Sequence, residues 1–238
     1  MLSEIQQIYE ASKVHEVAVD TQEDGEVPIT HTKVFHKQYP RFPRIALPAM
    51  AEEGELAELL ARRETQRVFS TEPMTLDELA RVLHSCRIVD HERQPERRTY
   101  PSAGARFPIE IYPLVFNVEG LEPGCYHYDI AGDTLEILWE KDLSEDMVRI
   151  VSPHLTRTAV ALVFTAVIAR AEVKYGVRAY AFSLLEAGHM AQNISLVCTK
   201  LGIGCCPVGG FVNDTLVKII DLTEHEIPIY VYGMGKGA

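Results

Sequence analysis

Residues 159–168 have the sequence Ala-Val-Ala-Leu-Val-Phe-Thr-Ala-Val-Ile, a continuous apolar run that is rich in β-branched side chains. Such a run, without polar alternation, is typical of a strand that is buried on both of its faces. A long helical pattern follows from about Arg178 to Leu201, and Gly202 stands where a left-handed residue would end that helix. These segments predict a central buried strand followed by a long helix.

Weaker patterns on either side supply the remaining elements. Helices are predicted at residues 52–63, after the capping box Thr75-Leu-Asp-Glu78, and at residues 146–155. Strands are predicted at residues 109–116, 125–129, 134–139 and 227–232. Pro113, inside the first of these strands, indicates a sheet edge or a bulge. Helices that flank a mostly antiparallel sheet make an α+β fold.

The first fifty residues differ from the rest of the chain. They open with a short helical pattern at Ile5, Ile8 and Tyr9, and then carry one glycine and several prolines. A segment punctuated by proline cannot hold a long helix, so we expect it to lie across the surface of the main domain. The sequence thus predicts an N-terminal arm at residues 1–50 and one domain at residues 51–238.

Composition excludes several classes of function. The 238 residues contain 23 Lys and Arg against 34 Asp and Glu, a formal net charge of −11 at pH 7. That charge repels phosphate backbones and anionic lipid, so neither nucleic acid nor a membrane is an expected partner. No apolar run reaches the roughly 18–20 residues that span a bilayer, and the N-terminus lacks a signal-peptide pattern. We therefore expect a cytoplasmic protein.

The cysteines and the glycine motifs exclude three kinds of site. Five cysteines with no C-x-x-C pair favour neither a disulfide framework nor a metal site, so no metal is predicted. Gly202-Ile-Gly-Cys-Cys-Pro207 ends in proline and follows a helix, whereas the dinucleotide fingerprint follows a strand. Gly235-Lys236 lacks the upstream glycine of a phosphate-binding P-loop.

Arg63, Thr65 and Arg67 stand at alternate positions directly after a predicted helix. In an extended segment, these three side chains share one face. Two guanidinium groups beside a hydroxyl make a cradle for a phosphate, because arginine offers forked donors. The alternative is a solvated basic patch at the end of a helix, where positive charge suits the helix dipole.

Two loops of small residues, Pro101-Ser-Ala-Gly-Ala105 and Pro207-Val-Gly-Gly-Phe211, have the composition of ligand contacts. Small side chains let a flat ligand approach the backbone amides closely. Both loops are equally compatible with ordinary turns, which favour the same residue types.

Lys174 and Tyr175 follow the buried strand and precede Gly176. Adjacent helical residues point about 100° apart, so both side chains serve one site only if this stretch is a loop. A lysine ammonium beside a phenol favours the phenolate, which is a useful base. The alternative is an amphipathic tip with the tyrosine packed and the lysine in water. His189 and Asn193, one turn apart on the long helix, are candidates only for supporting such a site.

Taken in order, these segments resemble the nitroreductase-like flavoproteins and, among them, the SagB-type dehydrogenases. The matching motifs are Arg63-x-Thr65-x-Arg67-x-Phe69, Tyr100-Pro-Ser-Ala-Gly-Ala-Arg106, Gly120-Leu-Glu-Pro-Gly-Cys-Tyr-His-Tyr128, Lys174-Tyr-Gly-x-Arg-x-Tyr180, Glu186-Ala-Gly-His-x-x-Gln-Asn193 and Gly209-Gly-Phe211. The likeness extends from about Leu56 to the C-terminus. Each motif is weak alone, whereas their joint order is specific.

The resemblance implies FMN at the interface of an intertwined homodimer. It assigns the phosphate and ribityl chain to Arg63, Thr65, Arg67 and Lys236, where Thr65 replaces the family's common serine and keeps its hydroxyl. It further assigns the flavin ring to Pro101, Ser102, Ala103 and Gly104 of the other subunit and to Pro207, Val208, Gly209 and Gly210. It assigns catalysis to Lys174 and Tyr175.

The resemblance also implies the reaction, since SagB-type members oxidise azolines to azoles in peptides. A cyclodehydratase complex and a peptide substrate are then expected partners, although no peptide-recognition domain is visible in the sequence. Two alternatives are an NAD(P)H-dependent nitro- or quinone reductase on the same fold and a non-catalytic flavin-binding or scaffold subunit.

The subunit contact is predicted on the long helix. Ala179, Ala181, Ala187 and Ala191 would allow close approach of a second helix, flanked by Phe182 and Leu185. The alternative is that this helix is simply the core helix of a monomer, which its hydrophobicity fits equally well.

Overall fold

A computed structural model of the chain describes residues 3–15, 34, 36–49, 53–143, 155 and 157–238. These residues contain six α-helices and ten strands, which confirms the predicted α+β class. The helices are α1 (Glu4–Ser12), α2 (Glu55–Arg62), α3 (Leu76–His84), α4 (Ala169–Tyr175), α5 (Arg178–Leu201) and α6 (Asn213–Ile220). The strands are β1 (Met74–Thr75), β2 (Ile88–Asp90), β3 (Arg97–Arg98), β4 (Ile109–Val115), β5 (Val118–Glu119), β6 (Gly124–Asp129), β7 (Thr134–Glu140), β8 (Val160–Val167), β9 (Ile203–Val208) and β10 (Glu226–Lys236).

Six strands form the main sheet in the order β7-β6-β4-β8-β10-β9, and every neighbouring pair in it is antiparallel. Strand β8 is the apolar run that the sequence predicts as central, and it is buried from Val160 to Ala166. It lies between β4 and β10, which pair with it on its two sides. The predicted central strand is confirmed.

Strand β4 is an interior strand, so the prediction that Pro113 marks a sheet edge is wrong. Pro113 pairs with Leu162 of β8, while the ladder to β6 covers only Leu114 and Val115. The proline therefore stands just beyond the paired part of the β6 side, where a residue without an N–H is tolerated.

Helix α5 is confirmed from Arg178 to Leu201 and ends at Gly202, which has φ 72° and ψ 23°. Its buried face is formed by small and apolar residues together with one acid: Ala179, Ser183, Glu186, Ala187, Met190, Ala191, Ile194, Ser195 and Cys198. Three of the four alanines assigned to a subunit contact thus pack inside their own chain. Leu184 and Leu185, by contrast, are 41% and 60% exposed.

Seven elements were not predicted from the sequence: the helices α4 and α6, the strand β9 of the main sheet, and the short strands β1, β2, β3 and β5. Strand β9 contains Gly204, two cysteines and Pro207, a composition with little strand propensity. It forms because its backbone pairs with β10, from Ile203 opposite Lys236 to Val208 opposite Val231. The helix predicted at residues 146–155 lies outside the described residues except for Leu155, which is buried.

Helix α1 docks on α6 although it belongs to the predicted arm. Its Ile5 and Tyr9 are buried, and the Asn213 Nδ2 donates to the Tyr9 hydroxyl at 3.3 Å. Lys13 Nζ lies 3.0 Å from the Asp214 carboxylate. Residues 36–49 contain neither helix nor strand. The division at residue 50 stays a prediction. No helix in the described part of the chain has both the length and the apolar character of a membrane span.

Candidate functional site

The segment after α2 runs between the ends of two strands of the sheet. The Gln66 N–H donates to the Cys205 carbonyl of β9 at 2.9 Å, and the Ser70 N–H donates to the Lys236 carbonyl of β10 at 2.9 Å. Phe69 adds a bridge to Gly237. The predicted Arg63–Arg67 motif is thereby held beside the C-terminal end of β10.

Two glycines allow this close approach. A Cβ atom on Gly204 would lie 2.5 Å from the Gln66 Oε1, and one on Gly235 would lie 2.9 Å from the Phe69 Cβ. Real Cβ atoms do not approach other atoms so closely. A side chain at Gly235 would therefore push Phe69 and its segment away from the sheet, whereas one at Gly204 would displace the end of the Gln66 side chain. Gly235 of β10 and Gly204 of β9 therefore make room for the segment that carries the arginines.

The donor set beside this end of the sheet fits a phosphate. Arg63 and Thr65 are half-buried and Arg67 is exposed. Within the described residues, neither guanidinium forms a salt bridge. Forked cationic donors without an anionic partner suit a phosphate group. We call Arg63, Thr65 and Arg67 the arginine cradle.

Lys236 lies in the same region, at the end of β10, but its ammonium forms a salt bridge with Glu78 of α3. Glu78 also closes the capping box of α3, since its Oε2 accepts from the Thr75 N–H at 2.9 Å. The predicted phosphate ligand is thus engaged with a carboxylate in this structure. The resemblance did not indicate that partner.

The predicted 207–211 loop begins inside β9, because Pro207 and Val208 pair with β10, and the chain leaves the strand only at Gly209. Val208 and Phe211 are buried and anchor it, whereas Pro207, Gly209 and Gly210 are exposed. A Cβ atom on Gly209 or Gly210 would meet no atom within 4 Å. The loop therefore presents bare amide backbone to open space, which fits the close approach of a flat ring.

A second group of predicted residues meets at the other end of the sheet. Gly104, with φ +58°, lies in a tight turn at residues 103–105. A Cβ atom on Gly104 would overlap the Tyr175 hydroxyl and would lie 2.7 Å from the Lys174 Nζ. The loop assigned to the flavin and the pair assigned to catalysis are therefore in direct contact, although they are distant in sequence.

The sequence predicts that Lys174 and Tyr175 serve one site only if they lie in a loop. That condition is wrong, because both residues lie in the last turn of helix α4. Both still reach one glycine. The Tyr175 ring packs edge-on against Phe182 at 5.0 Å between centroids, and the Lys174 Nζ lies 5.4 Å from the centre of the Tyr175 ring. The Lys174 side chain bends toward Tyr175. Both side chains therefore reach Gly104, although adjacent residues on a helix point about 100° apart.

Helix α5 anchors the loop that carries Gly104. The Asn193 Nδ2 donates to the Thr99 carbonyl at 3.2 Å and to the Ser85 carbonyl at 3.4 Å. Asn193 thus ties helix α5 to the chain just before this loop, and its supporting role in a site stays a prediction.

Glu186 has no role in the sequence-based assignment, although it belongs to a quoted motif. It is 2% exposed, and burial raises the pKa of its carboxyl to about 7. A signal for it is present in the sequence: Glu186 is the one charged residue on a helix face otherwise made of small and apolar side chains. A buried carboxyl with a raised pKa is a recurrent mark of a functional site.

The arginine cradle and the Lys174–Tyr175 pair of one chain lie at opposite ends of β8. The end of β10 lies beside Val160, through the pairing of Met234 with Val160, whereas α4 begins just after Val167. Seven residue steps along a strand correspond to about 23 Å. One chain therefore keeps the two groups well apart.

Comparison with known proteins identifies relatives across most of the chain. Residues 60–236 match the model of the nitroreductase family. The protein MJ1384 of Methanocaldococcus jannaschii is 30% identical over 194 residues, which are 81% of this chain and 96% of that protein. The microcin B17-processing protein McbC of Escherichia coli is 30% identical over 152 residues. That alignment covers 58% of this chain and about half of McbC, 54% of its length.

Comparison with a solved structure supports the same fold. A chain in the Escherichia coli microcin synthetase McbBCD complex with truncated pro-MccB17 bound superposes with a TM-score of 0.76 at 21% identity. The superposition covers 98% of this chain and 92% of that chain. The predicted fold and the recognised family are confirmed, and the match to McbC is consistent with the SagB-type branch. By the extent of these matches, this chain belongs to the nitroreductase family.

Proposed function

We propose that this protein is an FMN-dependent oxidoreductase of the SagB type, which oxidises azolines to azoles in a peptide substrate. The observation that carries the proposal is the contact of Gly104 with both Lys174 and Tyr175. It puts a candidate base beside the loop assigned to the flavin. The similarity to McbC, a microcin-processing protein, supports the choice of a peptide substrate.

The residues of this chain fit FMN at two places. Arg63, Thr65 and Arg67 would hold the phosphate, because these two guanidiniums form no salt bridge in the described part of the chain. The open backbone at Gly209 and Gly210 would lie along the ring. Bound FMN would supply a two-electron hydride acceptor.

Aromatisation of an azoline removes one carbon-bound proton and one hydride from the ring. Bound FMN would supply the acceptor for the hydride, whereas the proton needs a base on the protein. Tyr175 is that base in our proposal, and the Lys174 ammonium stabilises its phenolate. The edge-on contact with Phe182 holds the Tyr175 ring in place while the proton is transferred to the hydroxyl oxygen.

We further propose a homodimer in which each flavin site takes residues from both copies. The arginine cradle and the Lys174–Tyr175 pair lie at opposite ends of β8, so a second copy would bring one group to the other. Exposed Leu184 and Leu185 offer apolar area for that contact.

Sedimentation of the FMN-loaded protein as a dimer is expected, and a monomer that retains FMN would contradict the shared site.

A cyclodehydratase complex is the proposed setting of this reaction. A cyclodehydratase makes azolines, so it would supply the substrate of an azoline dehydrogenase. The solved McbBCD complex, which holds a truncated pro-MccB17 and contains a chain of this fold, supports the idea that such proteins work within an assembly.

Replacing Arg67 with alanine is expected to weaken FMN binding by about 1.5 kcal/mol, roughly tenfold, since one charged hydrogen bond is lost from an exposed position. The dissociation constant is measured by titrating the apoprotein with FMN and following the flavin fluorescence. The matched control is Arg62→Ala, because the Arg62 Nη2 lies 3.5 Å from the Thr199 carbonyl, within its own chain. An equal loss in both variants, or an apoprotein that takes up no FMN, would contradict the cradle.

A further inference from the structure

An open cavity of about 510 Å³ lies between helix α3 and the hairpin of β6 and β7. Its wall is mainly apolar and is formed by Leu76, Ala80, Leu83, Leu121 and Leu135. Small-molecule sites usually have volumes of roughly 300–1,000 Å³ and mostly apolar walls, so this cavity is of a suitable kind. None of the residues assigned to FMN or to catalysis lines it.

Three polar residues that line the cavity form a hydrogen-bond network. The Tyr128 side chain is buried, and its hydroxyl donates to the Asp133 Oδ1 at 2.6 Å. The Asp133 Oδ2 lies 3.0 Å from the Nδ1 of His84, the last residue of α3. Tyr128 thereby orients the Asp133 carboxylate, and Asp133 orients the His84 ring.

This network determines which nitrogen of the neutral His84 ring carries the proton. An ionised carboxylate only accepts hydrogen bonds, so the Nδ1 donates to Asp133. The Nε2 is then an acceptor without a proton, and it forms no hydrogen bond within the described part of the chain. The cavity therefore combines an apolar wall with one acceptor that lacks a donor.

The remaining polar groups of the lining disfavour a charged ligand. Arg81 is already paired with an anion, because its Nε lies 2.6 Å from the Asp77 Oδ2. Asp133 would repel an anionic ligand, and each of its oxygens already has a partner. The apolar wall offers nothing to replace the water that a charged group would lose. A neutral molecule with one hydrogen-bond donor fits this lining.

We propose that the cavity binds a small neutral phenol or alcohol. Its apolar body would lie against the leucines of the wall, and its hydroxyl would donate to the His84 Nε2. Asp133 and Tyr128 hold the ring in the tautomer that accepts this hydrogen bond. The inference goes beyond the proposed function and uses none of the residues assigned to the flavin site.

The test uses 4-ethylphenol and ethylbenzene, which differ only in the hydroxyl group. Both dissociation constants are measured by NMR titration of the full-length protein at about pH 8.5, where histidine rings are usually neutral. The ratio of the two affinities isolates the hydroxyl from the apolar contacts. We expect the preference for the phenol to fall about two- to twelvefold in H84A, the range of one neutral hydrogen bond.

Two further variants control this result. His225→Ala is the matched control, because His225 is also exposed and lies 3.5 Å from a carboxylate oxygen of Glu224, but it does not line the cavity. Its ratio should stay at the wild-type value. Ala80→Phe tests the cavity itself. Ala80 is exposed on α3, so a larger side chain can fill the cavity without disturbing the core, and both probes should lose binding.

An unchanged ratio in H84A, an equal fall in H225A, or wild-type binding by A80F would overturn the inference, because the phenol would then bind elsewhere. A last probe, N-acetyltyrosinamide, separates a free phenol from the tyrosine side chain of a peptide. We expect it to bind more weakly than 4-ethylphenol, since its amide groups would lie against the apolar wall. Tighter binding would overturn the assignment to a small molecule. Azoline oxidation is not measured here, so each of these failures leaves the proposed function standing.

Discussion

Replacing Tyr175 with phenylalanine is expected to lower the rate of azoline oxidation by about 10²–10⁴-fold, the usual contribution of a positioned general base. The substitution removes only the hydroxyl that lies against Gly104 and keeps the ring that packs on Phe182. FMN content should stay unchanged, because the tyrosine is not assigned to the arginine cradle. The measurement is single-turnover oxidation of an azoline peptide by the FMN-loaded variant.

Tyr180→Phe is the matched control for this variant. Tyr180 is a half-buried tyrosine on the neighbouring helix α5, and its hydroxyl hydrogen bonds with the Ser12 Oγ at 3.3 Å. Its loss should leave the rate of oxidation near that of the wild type. Full oxidation by Tyr175→Phe with FMN bound would rule out the proposed base. Loss of FMN or of thermal stability together with activity would assign a structural role to Tyr175.

Replacing Gly104 with alanine is expected to lower turnover by about 10²-fold, the cost of a small misplacement of reacting groups. The added methyl group would overlap the Tyr175 hydroxyl and would crowd the Lys174 Nζ, so both side chains must move. The rate of azoline oxidation and the melting temperature are measured side by side.

Gly202→Ala separates the steric effect from backbone strain. Gly202 has a left-handed conformation, with φ 72° and ψ 23°, similar to φ 58° and ψ 24° at Gly104. A Cβ atom on Gly202 would meet no atom within 4 Å. Both variants should lose about 1–2 kcal/mol of stability from the left-handed backbone, whereas only Gly104→Ala should lose turnover. Equal activities would mean that the contact with Lys174 and Tyr175 does not matter for catalysis.

The elements predicted correctly from the sequence are those that are determined by their own side-chain pattern and by the residues at their ends. The apolar run at residues 159–168 became β8, the long pattern became α5, and the left-handed Gly202 ended it. In each case the side-chain period and the terminating residue agree with the tertiary environment. The capping box at Thr75 was likewise sufficient to place the start of α3.

The elements that were missed depend on partners distant in sequence. Strand β9 exists because β10 pairs with its backbone, and its own residues carry no strand pattern. The position of Pro113 could not be judged without knowing that β6 pairs with only the last two residues of β4. The alanines of α5 indicate close packing, but periodicity alone does not say whether the packed neighbour is the same chain or a second copy.

At the candidate site, too, some features could be predicted from the sequence and others depend on the tertiary structure. Its residue types were available from the motifs, whereas the contact between Gly104 and Tyr175 arises from the way α4 and the 101–105 loop meet beside the sheet. The partner of Lys236 is also a tertiary fact, because Glu78 lies far from it in sequence. Sequence patterns therefore indicate which chemistry is present, and the fold decides which groups act together.

The most direct measurement is the anaerobic mixing of the FMN-loaded protein with an azoline-containing peptide, while the flavin absorbance is recorded and the peptide is analysed by mass spectrometry. We predict bleaching of the flavin and the loss of two hydrogen atoms from each ring that is oxidised, and no comparable bleaching by NAD(P)H alone. Rapid bleaching by NAD(P)H with none by the azoline peptide would contradict the account and would indicate a reductase. Bleaching by neither would indicate a non-catalytic subunit.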